Sequence, residues 1–168
     1  MVYLIAGATH SGKTLLAQKM LEKYHWPYLS IDHLKMGLIR SGNTNLTVCD
    51  DEALTDYLWP IVREMIKTAI ENGQNLIVEG CYIPFDWKKD FSEEYLTHIR
   101  EKWLILSADY IRLHFDDIRQ HANAIECRIA DDGLGMEDLI RENEENLRQC
   151  QVHGCSYVVI HDVYKIEI

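Results

Sequence analysis

Gly7-Ala8-Thr9-His10-Ser11-Gly12-Lys13-Thr14 follows the apolar run Val2-Tyr3-Leu4-Ile5-Ala6 and leads straight into Leu15-Leu16-Ala17-Gln18-Lys19-Met20-Leu21. Two glycines enclose four residues and are followed by Lys and Thr, with a strand-like run before and a helix-like run after. That is the spacing of a phosphate-binding loop. Each part has a job. Gly7 and Gly12 let the backbone turn tightly and approach an anion, because no Cβ intervenes. The N–H groups of Thr9, His10, Ser11 and Gly12 then face phosphate oxygens at the positive end of the following helix. Lys13 supplies a mobile cation for the outer phosphates, and Thr14 offers a hydroxyl to Mg²⁺. A glycine turn that merely joined two elements would have no need of Lys-Thr at the helix start. A nucleoside triphosphate is therefore the expected ligand.

The rest of the composition is compatible with such a role. The chain has 168 residues, 47% hydrophobic and 26% charged, which suits one globular domain spanning 1–168. Its net charge of −10 speaks against a lasting nucleic-acid complex, which needs a basic face. No apolar run is long enough for a membrane span, and the N-terminal strand does not look like an export signal. The cysteines, Cys49, Cys81, Cys127, Cys150 and Cys155, are odd in number and form no CxxC pair. A reducing cytoplasm is the expected compartment.

Strand-like and helix-like segments alternate along the chain. Residues 2–7 read as a buried strand and 13–24 as a helix stopped before Pro27. A second strand is expected at 28–32, ending in Asp32, and a short helix at 33–41, closed by Gly42. Asp50 and Asp51 are suited to cap a longer helix with an apolar stripe at Leu54, Leu58, Ile61, Val62, Met65, Ala69 and Ile70. Pro60 is expected to kink or split it. Residues 75–80 read as a third strand ending in Glu79, 93 to about 100 as a helix, and 103–106 as a fourth strand. Helices at 110–120 and 136–151 and a fifth strand at 157–160 complete the pattern. Alternation of this kind implies an α/β/α sandwich on a parallel sheet of about five strands. Ligands then sit at the carboxyl ends of the strands, where the loop, Asp32 and Glu79 all fall.

These residues fit phosphoryl transfer. Asp32 could accept a proton from a hydroxyl nucleophile or hold that hydroxyl; capping the next helix is the plainer role, and the two are compatible. Glu79 stands where such proteins keep an acid for Mg²⁺ and its waters. Developing negative charge calls for cations beyond Lys13. The candidates are Lys35, Arg40, Arg119, Arg128 and Arg141, with an Arg141–Glu145 surface pair as the plain reading of the last. His10 lies within the loop. Tyr82, Phe85 and Trp87 could wall an acceptor pocket or simply pack.

Four stretches together resemble the nucleoside-monophosphate-kinase-like group of P-loop kinases: Gly7 to Thr14; Leu29-Ser30-Ile31-Asp32-His33-Leu34-Lys35 running on to Arg40-Ser41-Gly42; Leu76-Ile77-Val78-Glu79-Gly80; and Ile140-Arg141-Glu142-Asn143-Glu144-Glu145. The resemblance implies Mg-ATP as donor, an acceptor segment at about 33–73 and a lid at about 119–141. It also implies that Arg141 and Arg128 clamp phosphates and that Lys35 stands where the group places an arginine for an acceptor phosphate. The acid directly at the end of the second strand resembles shikimate, gluconate, phosphoglycerate and chloramphenicol kinases and the zeta-toxin kinases. In those an alcohol is phosphorylated and the acid binds or deprotonates it. Expected substrates are thus ATP and a small-molecule hydroxyl acceptor. A nucleoside monophosphate acceptor, a toxin-like target and a regulatory ATPase without acceptor are the alternatives. No Asn-Lys-x-Asp guanine signature is present.

Overall fold

The computed structural model describes residues 1–121, 135–164 and 166. Strand β1 (Val2–Gly7) is the centre of a parallel sheet of order β2-β3-β1-β4-β5, with β2 at Tyr28–Ser30, β3 at Leu76–Glu79, β4 at Ile99–Leu106 and β5 at Tyr157–Ile160. A central parallel strand is covered on both faces, so it must be apolar on both. Val2, Leu4, Ile5 and Ala6 are accordingly all buried. Helices lie on both faces of the sheet. Tyr3 and Ile5 point to one face, where Leu16, Ala17 and Met20 of α1 (Lys13–Tyr24) pack. Val2, Leu4 and Ala6 point to the other and meet α3 (Asp51–Glu71). The remaining helices are α2 (Ile31–Arg40), α4 (Glu93–Leu96), α5 (Ala108–His121) and α6 (Met136–His153). No helix among the described residues is long and apolar enough to cross a membrane.

Several boundaries differ from those read in the sequence. Strand β2 stops at Ser30, and Ile31 opens α2. Ile31 is fully buried against Gly80, where an added Cβ would come within 2.8 Å of it. Asp32 therefore sits in the first helical turn rather than at a strand tip. Helix α3 runs unbroken through Pro60. Pro60 lies on the exposed side, where the carbonyl it leaves without a donor can be hydrated. The buried stripe of α3 is Leu54, Leu58, Val62, Ile66 and Ala69 with Trp59, while Met65 is 40% exposed.

That stripe supplies a stability test. Ile66→Ala deletes methyl groups from a fully buried site and should cost about 2–5 kcal/mol. Met65→Ala should cost well under half as much. Urea midpoints at unchanged slope would separate the two.

Ile99 and Arg100, read as the end of a helix, open strand β4, which runs on through Glu101 and Lys102. Glu101 is held there by the indole N–H groups of Trp87 (2.8 Å) and Trp103 (3.1 Å) and by Lys88 at 2.6 Å. Such partners satisfy a charge that would otherwise oppose burial. Phe85 stacks on Trp103 with ring centroids 4.3 Å apart, and Trp87 packs edge-on against Phe91. Trp87 thus belongs to the core, and Phe85 packs against it partly buried.

Candidate active site

The loop between β1 and α1 is shaped by its glycines. Gly7 has φ +142, and a Cβ there would lie 2.4 Å from the Leu104 carbonyl of the neighbouring strand. Gly12 has φ +84 at the N-terminus of α1, and its Cβ would fall 1.9 Å from the Tyr164 hydroxyl. His10 also has positive φ, at +58, an uncommon conformation for a residue with a side chain. The Ser11 hydroxyl is buried without a hydrogen-bond partner among the described residues. Strain and an unsatisfied buried group in one short loop are characteristic of functional sites. Lys13 is 4% exposed and folds back to donate to the Ala8 carbonyl at 2.6 Å.

Gly12→Ala should lower stability by about 1–2 kcal/mol from left-handed strain alone and weaken nucleotide binding. Adding Tyr164→Ala removes the steric clash but not the strain, so it should recover only part of the loss in a thermal melt.

The neighbouring strand ends bring acids to this loop. Register places Glu79 beside Ile5 on one side and Ser30 on the other. Glu79 is 1% exposed, and its carboxylate accepts from the Thr14 hydroxyl at 3.3 Å. A hydroxyl and a carboxylate side by side beneath a glycine cradle form a hard-oxygen donor set that fits Mg²⁺ with its own waters.

Asp32 is held by Lys35 one turn along α2, through Oδ1 at 2.5 Å. Asp32 Oδ2 has no hydrogen-bond partner among the described residues. Lys35 also donates to the Tyr82 hydroxyl at 2.9 Å, and Tyr82 donates to Asp51 Oδ1 at 3.0 Å. Burial works against the Lys35 charge, but its bonds to Asp32 and Tyr82 outweigh it and hold the ammonium above its ordinary pKa. The Tyr82 phenol is pushed up to about 12, by burial first, against the pull of Lys35.

Helix α6 reaches the loop from the other side. Asn143, 1% exposed, accepts from the Leu106 N–H (2.8 Å) and donates to the Leu139 carbonyl (2.9 Å), fixing α6 to the end of β4. Its neighbour Glu142 then accepts from the Thr9 N–H at 3.1 Å. A carboxylate thus holds a loop N–H of the kind that phosphate oxygens take. Burial raises the Glu142 pKa, opposed by the Thr9 N–H and by Lys13. The ionised form is therefore costly above the ordinary glutamate range, and the cost vanishes below it. Glu142→Gln should stabilise the nucleotide-free protein at pH 7 but not below about pH 4.5. It should also tighten nucleotide binding severalfold in an equilibrium titration.

The expected cations are spread out. Arg40 is the exposed last residue of α2, about 12 Å along the helix axis from Asp32. Arg119 is exposed on α5. The Arg141 side chain is 77% exposed and pairs with Asp138, while Glu145 pairs with Arg148 instead. Arg128 and most of the expected lid lie outside the described residues. Asp51 was read from the sequence only as a helix cap, and Glu142 and Tyr164 were given no role in the site. The only signal for Glu142 was its place in the Arg141-Glu142-Asn143 stretch. Tyr164 donates to the Ser11 carbonyl at 3.0 Å from the far end of the chain.

No family profile matches the chain, and no curated protein matches its sequence. Solved structures do match. One is a deoxyadenosine kinase from M. mycoides with bound dATP, at 14% identity and TM-score 0.56, covering 100% of this chain and 93% of that one. Another is a shikimate kinase from Bacteroides thetaiotaomicron, at 12% identity and TM-score 0.54, covering 96% and 86%. A presumptive kinase from Chloroflexus aurantiacus matches at 17% identity and TM-score 0.57, covering 99% and 91%. The fold is that of P-loop small-molecule kinases.

Proposed function

We propose that the chain is an ATP-dependent phosphotransferase that moves the γ-phosphoryl group to a hydroxyl of a small molecule. The observation that carries this is the meeting of three groups at one edge of the sheet: the Gly7–Thr14 loop, buried Glu79, and Asp32 with one carboxylate oxygen free of partners among the described residues. A loop built for phosphates alone would need no second acid aimed at an acceptor.

In this account the loop N–H groups and Lys13 bind the donor phosphates. Lys13 must leave the Ala8 carbonyl, and the Thr9 N–H must leave Glu142, to do so. Thr14 and Glu79 would hold Mg²⁺, which when bound neutralises charge on the outer phosphates. Asp32 Oδ2 accepts the hydrogen bond of the acceptor hydroxyl and orients its oxygen. A bond forms between that oxygen and the γ-phosphorus. The bond from the γ-phosphorus to the bridging oxygen breaks, ADP leaves with the electron pair, and the acceptor proton passes to Asp32 or to water. Arg119, Arg128 and Arg141 are the proposed source of further positive charge during transfer.

A metabolite mixture should accelerate ADP release well above basal hydrolysis in a coupled assay. Release that no acceptor accelerates would point to a regulatory ATPase instead.

A further inference from the structure

The groups left facing the acceptor after Mg-ATP is seated decide which acceptors can enter. Lys13, Thr14 and Glu79 are committed to the donor. What remains is the hydrogen-bonded set Asp32, Lys35, Tyr82 and Asp51, joined in that order by bonds of 2.5, 2.9 and 3.0 Å. Lys35 is the only cation in this set among the described residues, and it is already spent. Its side chain is 12% exposed, its charge is matched by Asp32, and it is bonded to both Asp32 and Tyr82. Tyr82 is spent as well, accepting from Lys35 and donating to Asp51. Among the described residues the balance around the acceptor is negative: Asp51 has no cation partner there, its neighbours Asp50 and Glu52 are exposed acids, and Arg40 stands at the far end of α2.

A carboxylate or phosphate acceptor would have to strip Lys35 from Asp32 and then sit beside Asp51. An alcohol asks for neither. It needs a hydrogen-bond acceptor, which Asp32 Oδ2 provides, and a positive substituent would find Asp51. Resting on the phosphotransferase reading above, we propose that the acceptor is an uncharged or positively charged hydroxyl compound. A sugar, polyol or amino alcohol has this chemistry. The Asp32–Lys35–Tyr82–Asp51 chain is what turns anionic acceptors away.

The test uses the full chain with Mg-ATP and three pools of hydroxyl compounds: uncharged sugars and polyols, amino alcohols, and hydroxy acids with sugar phosphates and nucleoside monophosphates. Acceptor-dependent ADP release should be at least tenfold faster with one of the first two pools than with the third. A fastest rate from the anionic pool would overturn the inference while leaving phosphoryl transfer intact. Normal nucleotide binding with no transfer to any pool would overturn the phosphotransferase reading and the inference with it. Asp51→Asn should narrow the gap between pools severalfold through KM rather than kcat, with an unchanged circular dichroism spectrum. An unchanged gap would remove Asp51 from selection.

Discussion

Lys13→Ala should reduce phosphoryl transfer by about 10²–10³-fold and weaken ATP binding as well. The expected size follows from where the charge sits. Lys13 opens α1 at the bottom of the loop and is nearly buried, so its ammonium meets phosphate oxygens in a place that water screens poorly. Its present partner is a neutral carbonyl, Ala8, at 2.6 Å, so no ion pair has to be broken for it to turn to phosphate. The substitution should leave the fold intact, because what is lost is the bond to the Ala8 carbonyl and the pull of the charge on Glu142 and on the Cys81 thiol. A melting temperature close to that of the parent, with transfer abolished, separates a functional from a structural role. Lys13→Arg should not restore activity, since a planar guanidinium does not fit the space of a compact ammonium.

Asp32→Asn should lower kcat by about 10²–10⁴-fold with nucleotide affinity little changed, if Asp32 receives the acceptor proton in the transition state. Asparagine keeps the shape and an acceptor for Lys35, so the site is not emptied. It does leave the mostly covered Lys35 ammonium without a counter-charge, at a cost of about 1–3 kcal/mol. The folded pKa of Lys35 lies above its ordinary value, so the pair contributes fully at neutral pH. That contribution is lost only as pH rises beyond the ordinary lysine range. Adding Lys35→Met to Asp32→Asn should recover stability at pH 7 without recovering turnover. If turnover returned together with stability, Asp32 would be a structural partner of Lys35 and nothing more.

The frame of the molecule was readable because its signals are local. The run Val2 to Ala6, the glycines and the helix from Lys13 to Tyr24 are set by neighbours in sequence, and their bounds came out as read. The sheet of parallel strands followed from alternation alone. What could not be read depends on distant partners. Ile31 looks like the continuation of a strand, yet burial under Gly80 makes it the first residue of a helix. Arg100 was read as a helix end and Glu101 and Lys102 were left unassigned, yet two tryptophans and Lys88 make Glu101 tolerable in a strand. The stripe of α3 was read one position off at Met65, because periodicity cannot tell a thioether at the rim from an isoleucine in the core.

The site shows the same division. Gly7 to Thr14 and Glu79 stand at strand ends that local pattern located, while Asp32 lies in the first turn of the helix after the second strand. The Glu142 contact with Thr9 spans 133 residues of sequence, and that of Tyr164 with Ser11 spans 153. Contacts of that separation leave no periodic trace. Lys35 was legible as a cation in the right segment, but not as one already neutralised by Asp32 and anchored by Tyr82. That difference bears on the acceptor, because a free lysine there would have welcomed a phosphate.

The central claim is transfer of a phosphoryl group to a carbon-bound hydroxyl at Asp32. It is tested most directly by ³¹P NMR of the protein with Mg-ATP and a mixture of neutral and cationic hydroxyl compounds. The account expects a new phosphomonoester resonance to grow as the γ resonance of ATP falls, with none formed by Lys13→Ala or Asp32→Asn. Consumption of ATP with only inorganic phosphate appearing, or the same ester formed at full rate by Asp32→Asn, would contradict it.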